Sequence, residues 1–306
     1  MADMEIVDNI TKYAPCKIEF YGSKNPCSWV LDGKSLKYEW VPEHCSEPFT
    51  RFNASDFCTI MDGASILVVG DSVSHHSYLS WSNKLLSSLE QGCPPKEGET
   101  KCTPYLARFN YCVQRVQIPT CRGLSLISAR NDRLSLTETI LEDRATNFVE
   151  APWAHLLDKY RVSVVIMNRG AHYENDTKTL VDLNSTLHFL SHNFPNVSRV
   201  WRNTPHGHTD YKSYAGLDAK PLSEPPKLSE NHAFSYGKFQ GQNEVVRKFL
   251  SEHYPSVLYL DVFTASVLRA DNHYDALHIC IPGVADTWLQ LLSNAFRLFA
   301  RRAESF

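Results

Sequence analysis

The chain has 306 residues, is 43% hydrophobic, and sets 31 basic against 34 acidic residues for a net charge of −3. That length and apolar content suffice for one large domain with a small elaboration, and they exclude a disordered chain. Charge of both signs is spread along the whole length, with no basic stripe for nucleic acid or anionic lipid, and the longest apolar runs fall far below the ~20 residues of a membrane-spanning helix.

Residues 1–62 are rich in Cys, Pro, Trp and charge and carry little periodicity. They are expected to be loop-like, a disulfide-pinned wrap on a main domain of residues 63–306. The opening Met1-Ala-Asp-Met-Glu-Ile6 has neither a basic nor an apolar segment of signal-peptide type. Cysteines stand at 16, 27, 45, 58, 93, 102, 112, 121 and 280, and the eight up to position 121 match no zinc-ligand spacing. Disulfides are therefore expected, with Cys280 either free or paired into that set, and with them a secretory-pathway lumen (Golgi) or extracellular setting. Asn-x-Ser/Thr sequons at Asn9, Asn53, Asn175, Asn184 and Asn196 fit a glycoprotein of that setting.

From Ile66 onward short β-branched runs alternate with amphipathic stretches, the pattern of an α/β fold. Strands are predicted at 65–70, 162–168, 198–202 and 256–261, and helices at Ser74–Leu89, Val181–Phe194 and Asn243–Glu252. After Pro282-Gly283, the apolar residues Val284, Trp288, Leu291, Leu292, Ala295 and Phe299 recur at helical spacing. Asp286 near the start and Arg297, Arg301 and Arg302 near the end complement that helix's macrodipole. The stretch 203–237 holds four prolines and reads as a long, substrate-facing loop. Its Tyr211 and Tyr214 are candidate sugar platforms, whereas most of Trp29, Trp40, Trp81, Trp153, Trp201 and Trp288 are expected in the core.

The chemistry concentrates in two segments. In Ser65-Ile-Leu-Val-Val-Gly-Asp-Ser72 an apolar strand ends in Gly-Asp-Ser where a helix begins, the place where open α/β sheets put ligands and where helix N–H groups can hold an oxyanion. Asp71 or Ser72 would also serve there simply as a helix cap. Asp275-Ala-Leu-His278 supplies an aspartate three residues before a histidine, so one tight turn can present an imidazole and the carboxylate that orients it. Ser72, His278 and Asp275 are thus a candidate nucleophile, base and orienting acid. Asn168, at the C-terminal end of the predicted strand 162–168, is a candidate oxyanion donor beside the Ser72 backbone N–H. Asp71, His75, His76, Arg169, His172, Arg202, His206 and His208 are candidate substrate contacts. The histidines lack a carboxylate or cysteine at ligand spacing, so no metal is expected, and no nucleotide or coenzyme A motif is present.

These residues lie in segments that resemble the plant trichome-birefringence-like polysaccharide O-acetyltransferases and the wider PC-esterase group of the SGNH (GDSL-like) superfamily. The likeness runs through Tyr38-Glu-Trp-Val-Pro-Glu-His-Cys45, Arg51-Phe-Asn53, Val69-Gly-Asp-Ser-Val-Ser74, Met167-Asn-Arg-Gly-Ala-His172 and Trp201-Arg-Asn-Thr-Pro205. It continues through Leu260-Asp-Val-Phe-Thr264 and Arg269-Ala-Asp271 to the long signature Asp275-Ala-Leu-His-Ile-Cys-Ile-Pro-Gly-Val-Ala-Asp-Thr-Trp288. The chain departs from the plant pattern at Val73-Ser74-His75-His76, where Ser-Arg-Asn follows the nucleophile, and at Ile279, where Trp is usual. The resemblance implies a flavodoxin-like, three-layer α/β/α SGNH fold with a disulfide-pinned N-terminal extension. It also implies an acyl-Ser72 intermediate, no bound cofactor, an acyl donor as co-substrate, and a polysaccharide or glycan acceptor. The expected activity is a carbohydrate O-acyltransferase, with a carbohydrate acetylesterase using the same triad and a catalytically inactive glycan-binding protein as alternatives.

Overall fold

The computed structural model describes residues 3–6, 35–42, 49–89, 97–100, 112–143, 148–226 and 233–304. Cys16, Cys27, Cys45, Cys93, Cys102, Trp29 and the Asn9 sequon lie outside the described residues, as does most of the expected N-terminal wrap. Strands β1 (Asp3–Ile6) and β2 (Tyr38–Val41) pair antiparallel. Residues 54–61, read as loop from the sequence, form helix α1 (Ala54–Met61), because the Asn53 side chain caps it by accepting from the Asp56 N–H. Its Phe57, Cys58 and Met61 are buried in the same core as the sheet.

The middle layer follows from the run Ile66-Leu-Val-Val69, which has no polar face and so must be covered on both sides. These residues lie in β3 (Ser65–Gly70), the central strand of a seven-stranded sheet. After β3 come helix α2 (Ser72–Ser88), β4 (Glu97–Thr100), β5 (Val113–Ile118) and β6 (Leu124–Arg130). A small pair, β7 (Leu141–Asp143) with β8 (Phe148–Glu150), precedes α3 (His155–Lys159) and β9 (Val162–Met167). Then follow α4 (Asp176–Asn193), β10 (Ser198–Arg202), α5 (Phe239–His253), β11 (Leu258–Leu260), α6 (Val262–Ser266) and α7 (Val284–Glu304).

The sheet order is β11-β10-β9-β3-β6-β5-β4. The five strands from β11 to β6 are parallel, and β5 and β4 add antiparallel at the edge. Taken in chain order, the parallel strands are arranged 2-1-3-4-5, the flavodoxin-like doubly wound order, with its switch point between β3 and β9. Alternate residues of each strand face opposite layers. Ile66 and Val68 pack with Phe57, Trp81, Trp288 and Leu292 of α1, α2 and α7. Leu67 and Val69 pack with Leu156, Leu183, Leu187 and Val246 of α3, α4 and α5. Each such fully buried aliphatic side chain contributes roughly 1.5–3 kcal/mol of transfer free energy.

Caps explain where the helices depart from their predicted starts. α2 begins at Ser72 rather than Ser74, because Asp71 Oδ1 accepts the Val73 and Ser74 N–H groups at 3.0 and 3.2 Å. α4 begins at Asp176 rather than Val181, because Asn175 accepts from the Lys178 N–H. On α7 the predicted stripe is buried at Val284, Trp288 and Leu292, but the last turns leave the core and Phe299 is 51% exposed. A disulfide joins Cys58 of α1 to Cys121 after β5, and Cys112 and Cys280 are also disulfide-bonded, so Cys280 is not free. Among the described residues no helix is long and apolar enough to cross a membrane.

Candidate active site

The sheet's switch point lies between β3 and β9, and at its C-terminal end the turn out of β3 is set by Gly70. A Cβ there would lie 2.4 Å from Ser74 Oγ and 2.7 Å from the Asn168 carbonyl oxygen, so a side chain has no room. Ser72 therefore becomes the first residue of α2, 5% exposed, among first-turn N–H groups that lack acceptors within the helix. Opposite Ser72, Asp275 makes a tight turn of its own segment by accepting the Leu277 and His278 N–H groups at 2.8 and 2.6 Å. That segment is pinned on either side. Arg269 and Asp271 form a buried bidentate pair at 2.9 and 3.1 Å, and the Cys280 N–H donates to the Asn272 carbonyl at 2.8 Å.

The two turns bring three side chains into line. His278 Nε2 lies 2.7 Å from Ser72 Oγ, and His278 Nδ1 lies 2.7 Å from Asp275 Oδ2. Nδ1–H donating to the carboxylate leaves the Nε2 lone pair facing the serine hydroxyl, the tautomer a general base needs. Burial pushes the Asp275 carboxyl up, but the His278 hydrogen bond and charge, with the two backbone N–H groups, outweigh it and hold the pKa at about 2.

Asp71 lies beside Ser72 and uses its carboxylate differently. Its second oxygen, Oδ2, accepts the Ala171 N–H at 3.2 Å and so ties the α2 start to the segment after β9. Burial raises its pKa, and the charges of Arg202, His172 and Arg130 more than reverse that. Arg202 is buried, donates to Ser74 Oγ at 2.9 Å and to the Asn203 carbonyl at 3.0 Å, and lies over the Trp288 ring. Asn168 is likewise buried at the switch point. Its Nδ2 donates to the Arg202 carbonyl at 2.9 Å and lies 3.3 Å from Thr204 Oγ1, while its Oδ1 has no hydrogen-bond partner among the described residues.

The other candidate contacts separate by burial. Arg169 turns into the protein, to the Arg133 carbonyl and Asp182 Oδ2 of α4, because its position just past β9 faces that helix layer. His208 is buried between His273 Nε2 at 3.1 Å and the Val267 carbonyl at 3.0 Å, and His206 is buried against His208 and Phe263. Asp71 and Arg202 are buried among protein partners in the same way. His75 and His172 are half-buried, near Ser128 Oγ at 3.2 Å and Asp132 Oδ2 at 3.5 Å. His76 packs against His278 itself, with ring centroids 5.2 Å apart. Tyr214 is exposed, and Tyr211 is half-buried in a short turn beside the 270–272 segment. Among the described residues no group of three or more His, Cys, Asp or Glu side chains is arranged to hold a metal ion. Sequence reasoning missed Thr204 and Tyr274; the signal for the first is its place in the segment Trp201-Arg-Asn-Thr-Pro205, and for the second its position directly before Asp275.

No family model matches the chain. Its curated relatives in Arabidopsis thaliana include protein trichome birefringence-like 43, 26% identical over 301 residues, which span 85% of this chain and 77% of the relative. Trichome birefringence-like 38 is 26% identical over 299 residues, 87% of this chain and 74% of the relative. Trichome birefringence-like proteins are homologues of the chain. Trichome birefringence-like 42 is 25% identical over 306 residues, with 86% of this chain and 79% of the relative covered. Among solved structures, the lipopolysaccharide acetyltransferase periplasmic domain of Salmonella ser. Paratyphi A matches 77% of this chain and 85% of its own at 12% identity and a TM-score of 0.43. A peptidoglycan O-acetylesterase matches 82% of this chain and 98% of its own at 9% identity and a TM-score of 0.46.

Proposed function

We propose that the chain is a carbohydrate O-acetyltransferase that works through an acetyl-Ser72 intermediate. The observation that carries this reading is the unbroken relay from Ser72 Oγ through His278 to Asp275, with both contacts at 2.7 Å. His278 Nε2 takes the Ser72 proton as Oγ attacks the carbonyl carbon of an acetyl donor. The oxyanion that develops is received by the Ser72 backbone N–H and by Asn168, whose longer contact, to Thr204, is the one that gives way. As the intermediate collapses, the imidazolium returns its proton to the leaving oxygen of the donor, and the acetyl group stays on Ser72. An acceptor hydroxyl then repeats the sequence, losing its proton to His278 and taking the acetyl group, and Ser72 recovers its proton.

A sugar hydroxyl as that acceptor is supported by the homology to trichome birefringence-like proteins and by the motif resemblance, which runs through every segment of the site. A second reading, hydrolysis by water, is favoured by one observation: the Asp275 side chain is 41% exposed, so water reaches the rim of the triad. We place the protein in an oxidising compartment, as a glycoprotein of the secretory lumen or cell exterior. The disulfide-bonded Cys58, Cys112, Cys121 and Cys280 and the exposed sequons at Asn53, Asn175, Asn184 and Asn196 support that placement.

Intact-protein mass spectrometry tests the chemistry. Wild type and Ser72→Ala are incubated with an activated acetyl ester, then with oligosaccharides or with buffer alone. An acetyl adduct that needs Ser72 and discharges onto sugar faster than onto water is expected. Faster discharge to water establishes the esterase instead, and no Ser72-dependent adduct with any donor leaves the inactive glycan-binding alternative.

A further inference from the structure

In a triad whose carboxylate is deeply buried, that carboxylate alone can fix the imidazole. Here the Asp275 side chain is 41% exposed and the His278 side chain only 16%, so water competes for the hydrogen bond that should orient the ring. A ring held at one nitrogen by a solvent-accessible partner needs a second restraint, and two aromatic side chains supply one. Tyr274 lies nearly parallel to His278, with centroids 5.8 Å apart and planes 13° apart, an offset stack. His76 lies 5.2 Å from His278 and 5.8 Å from Tyr274, so the three rings form a closed triangle. Its third side is also a hydrogen bond, Tyr274 Oη to His76 Nε2 at 3.3 Å.

The triangle joins the two halves of the site. His76 stands four residues after Ser72, one turn along the same face of α2. Tyr274 stands in the opposing turn, where its N–H donates to the His278 carbonyl at 3.2 Å. Resting on the reading of Ser72 and His278 as nucleophile and base, we propose that Tyr274 and His76 are positioning residues that hold the His278 imidazole in line with Ser72 while its hydrogen bond to Asp275 exchanges with water. His76 suits this place because it stays uncharged. Burial, and after it the nearby His278, lower its pKa well below the ordinary histidine value. A cation 5.2 Å from the base would oppose formation of the imidazolium.

The test compares Tyr274→Ala, which removes the stack, with Tyr274→Phe, which keeps the ring and loses only the hydroxyl. Both are made in the full chain with histidine labelled for NMR, and urea unfolding confirms that each folds. The His278 ring protons are expected to carry a ring-current shift that Tyr274→Phe keeps and Tyr274→Ala loses. With an activated acetyl ester, Tyr274→Ala is expected to slow Ser72 acetylation roughly tenfold in kcat with KM unchanged, and Tyr274→Phe to stay within about twofold of wild type. Unchanged acetylation in Tyr274→Ala overturns the proposal. So does an effect confined to the KM of an added oligosaccharide, which would make Tyr274 a sugar platform. If wild-type Ser72 takes no acetyl group, the catalytic reading fails, and the NMR shift decides the ring triangle alone: a His278 signal indifferent to Tyr274→Ala overturns it.

Discussion

The turn at Gly70–Ser74 and the turn at Tyr274–His278 use the same local device to different ends. In each, one oxygen of an aspartate accepts two successive backbone N–H groups: Val73 and Ser74 on Asp71, Leu277 and His278 on Asp275. The second oxygen separates them. Asp71 Oδ2 accepts a backbone N–H from Ala171 and is sealed from water, whereas Asp275 Oδ2 takes the His278 ring and stands half-open to solvent. Burial and the partner of that one oxygen separate them: the first aspartate ties two backbone segments together, and the second orients the His278 ring, the role the proposed chemistry gives it.

The sharpest way to break this contrast is to neutralise each carboxylate in turn. Asp275→Asn keeps an acceptor for the turn but cannot enforce the Nδ1–H tautomer of His278. Acetylation of Ser72 is expected to fall by roughly 10³–10⁴-fold, with little change in the urea midpoint. A loss of under tenfold would show that Asp275 only shapes its turn. Asp71→Ala should do the reverse. It removes the α2 cap and the tie to Ala171, and it leaves buried Arg202 without the carboxylate that offsets its charge. A stability loss of roughly 3 kcal/mol is expected from denaturant unfolding, with the folded fraction still acetylating Ser72. A fully stable Asp71→Ala that is inactive would move Asp71 into the chemistry.

Gly70→Ala probes the first turn without touching charge. The new methyl group must displace both the Ser74 hydroxyl, which holds Arg202, and the Asn168 backbone carbonyl. A loss of roughly 2 kcal/mol is expected, since overpacking at a fixed backbone is relieved only by moving the frame. A neutral result in thermal unfolding would mean that the strand-to-helix turn tolerates rearrangement.

Much of this contrast was legible in the sequence, because both turns are continuous segments whose spacing fixes which groups can meet. Ser72, Asp275 and His278 could be named from Gly70-Asp-Ser72 and Asp275-Ala-Leu-His278 because each group needs only its own tight turn. The strands β3, β9, β10 and β11 were legible for a similar reason, as short segments centred on β-branched, aliphatic or aromatic residues. β6 was not, although it pairs directly with β3 in the sheet. Its Leu124-Ser-Leu-Ile-Ser-Ala-Arg130 mixes serine into a buried strand and hides the run. α1 was missed because it follows a cysteine-rich, proline-rich stretch, and eight residues are too few for periodicity to register. The environment of Arg202 and His208 was beyond sequence reasoning, because their partners, Ser74 for the one and Val267 and His273 for the other, are brought to them only by the folded chain.

The smallest expected effect compares the two aspartates through acid. Asp275 titrates at about 2 in the folded protein against an ordinary value of 3.8, so its interactions stabilise the fold fully above about pH 4 and are lost as the pH falls through 2. Asp71 is lowered too, and its contribution has the same sign. The two should differ in size, since solvent screens the half-exposed Asp275 pair and cannot reach Asp71. Urea midpoints measured from pH 5 down to pH 2 should therefore flatten slightly in Asp275→Asn and more strongly in Asp71→Asn. An equal flattening would mean that solvent reaches both carboxylates alike. The contrast between a sealed turn that builds the site and an open one that works it would then rest on geometry alone.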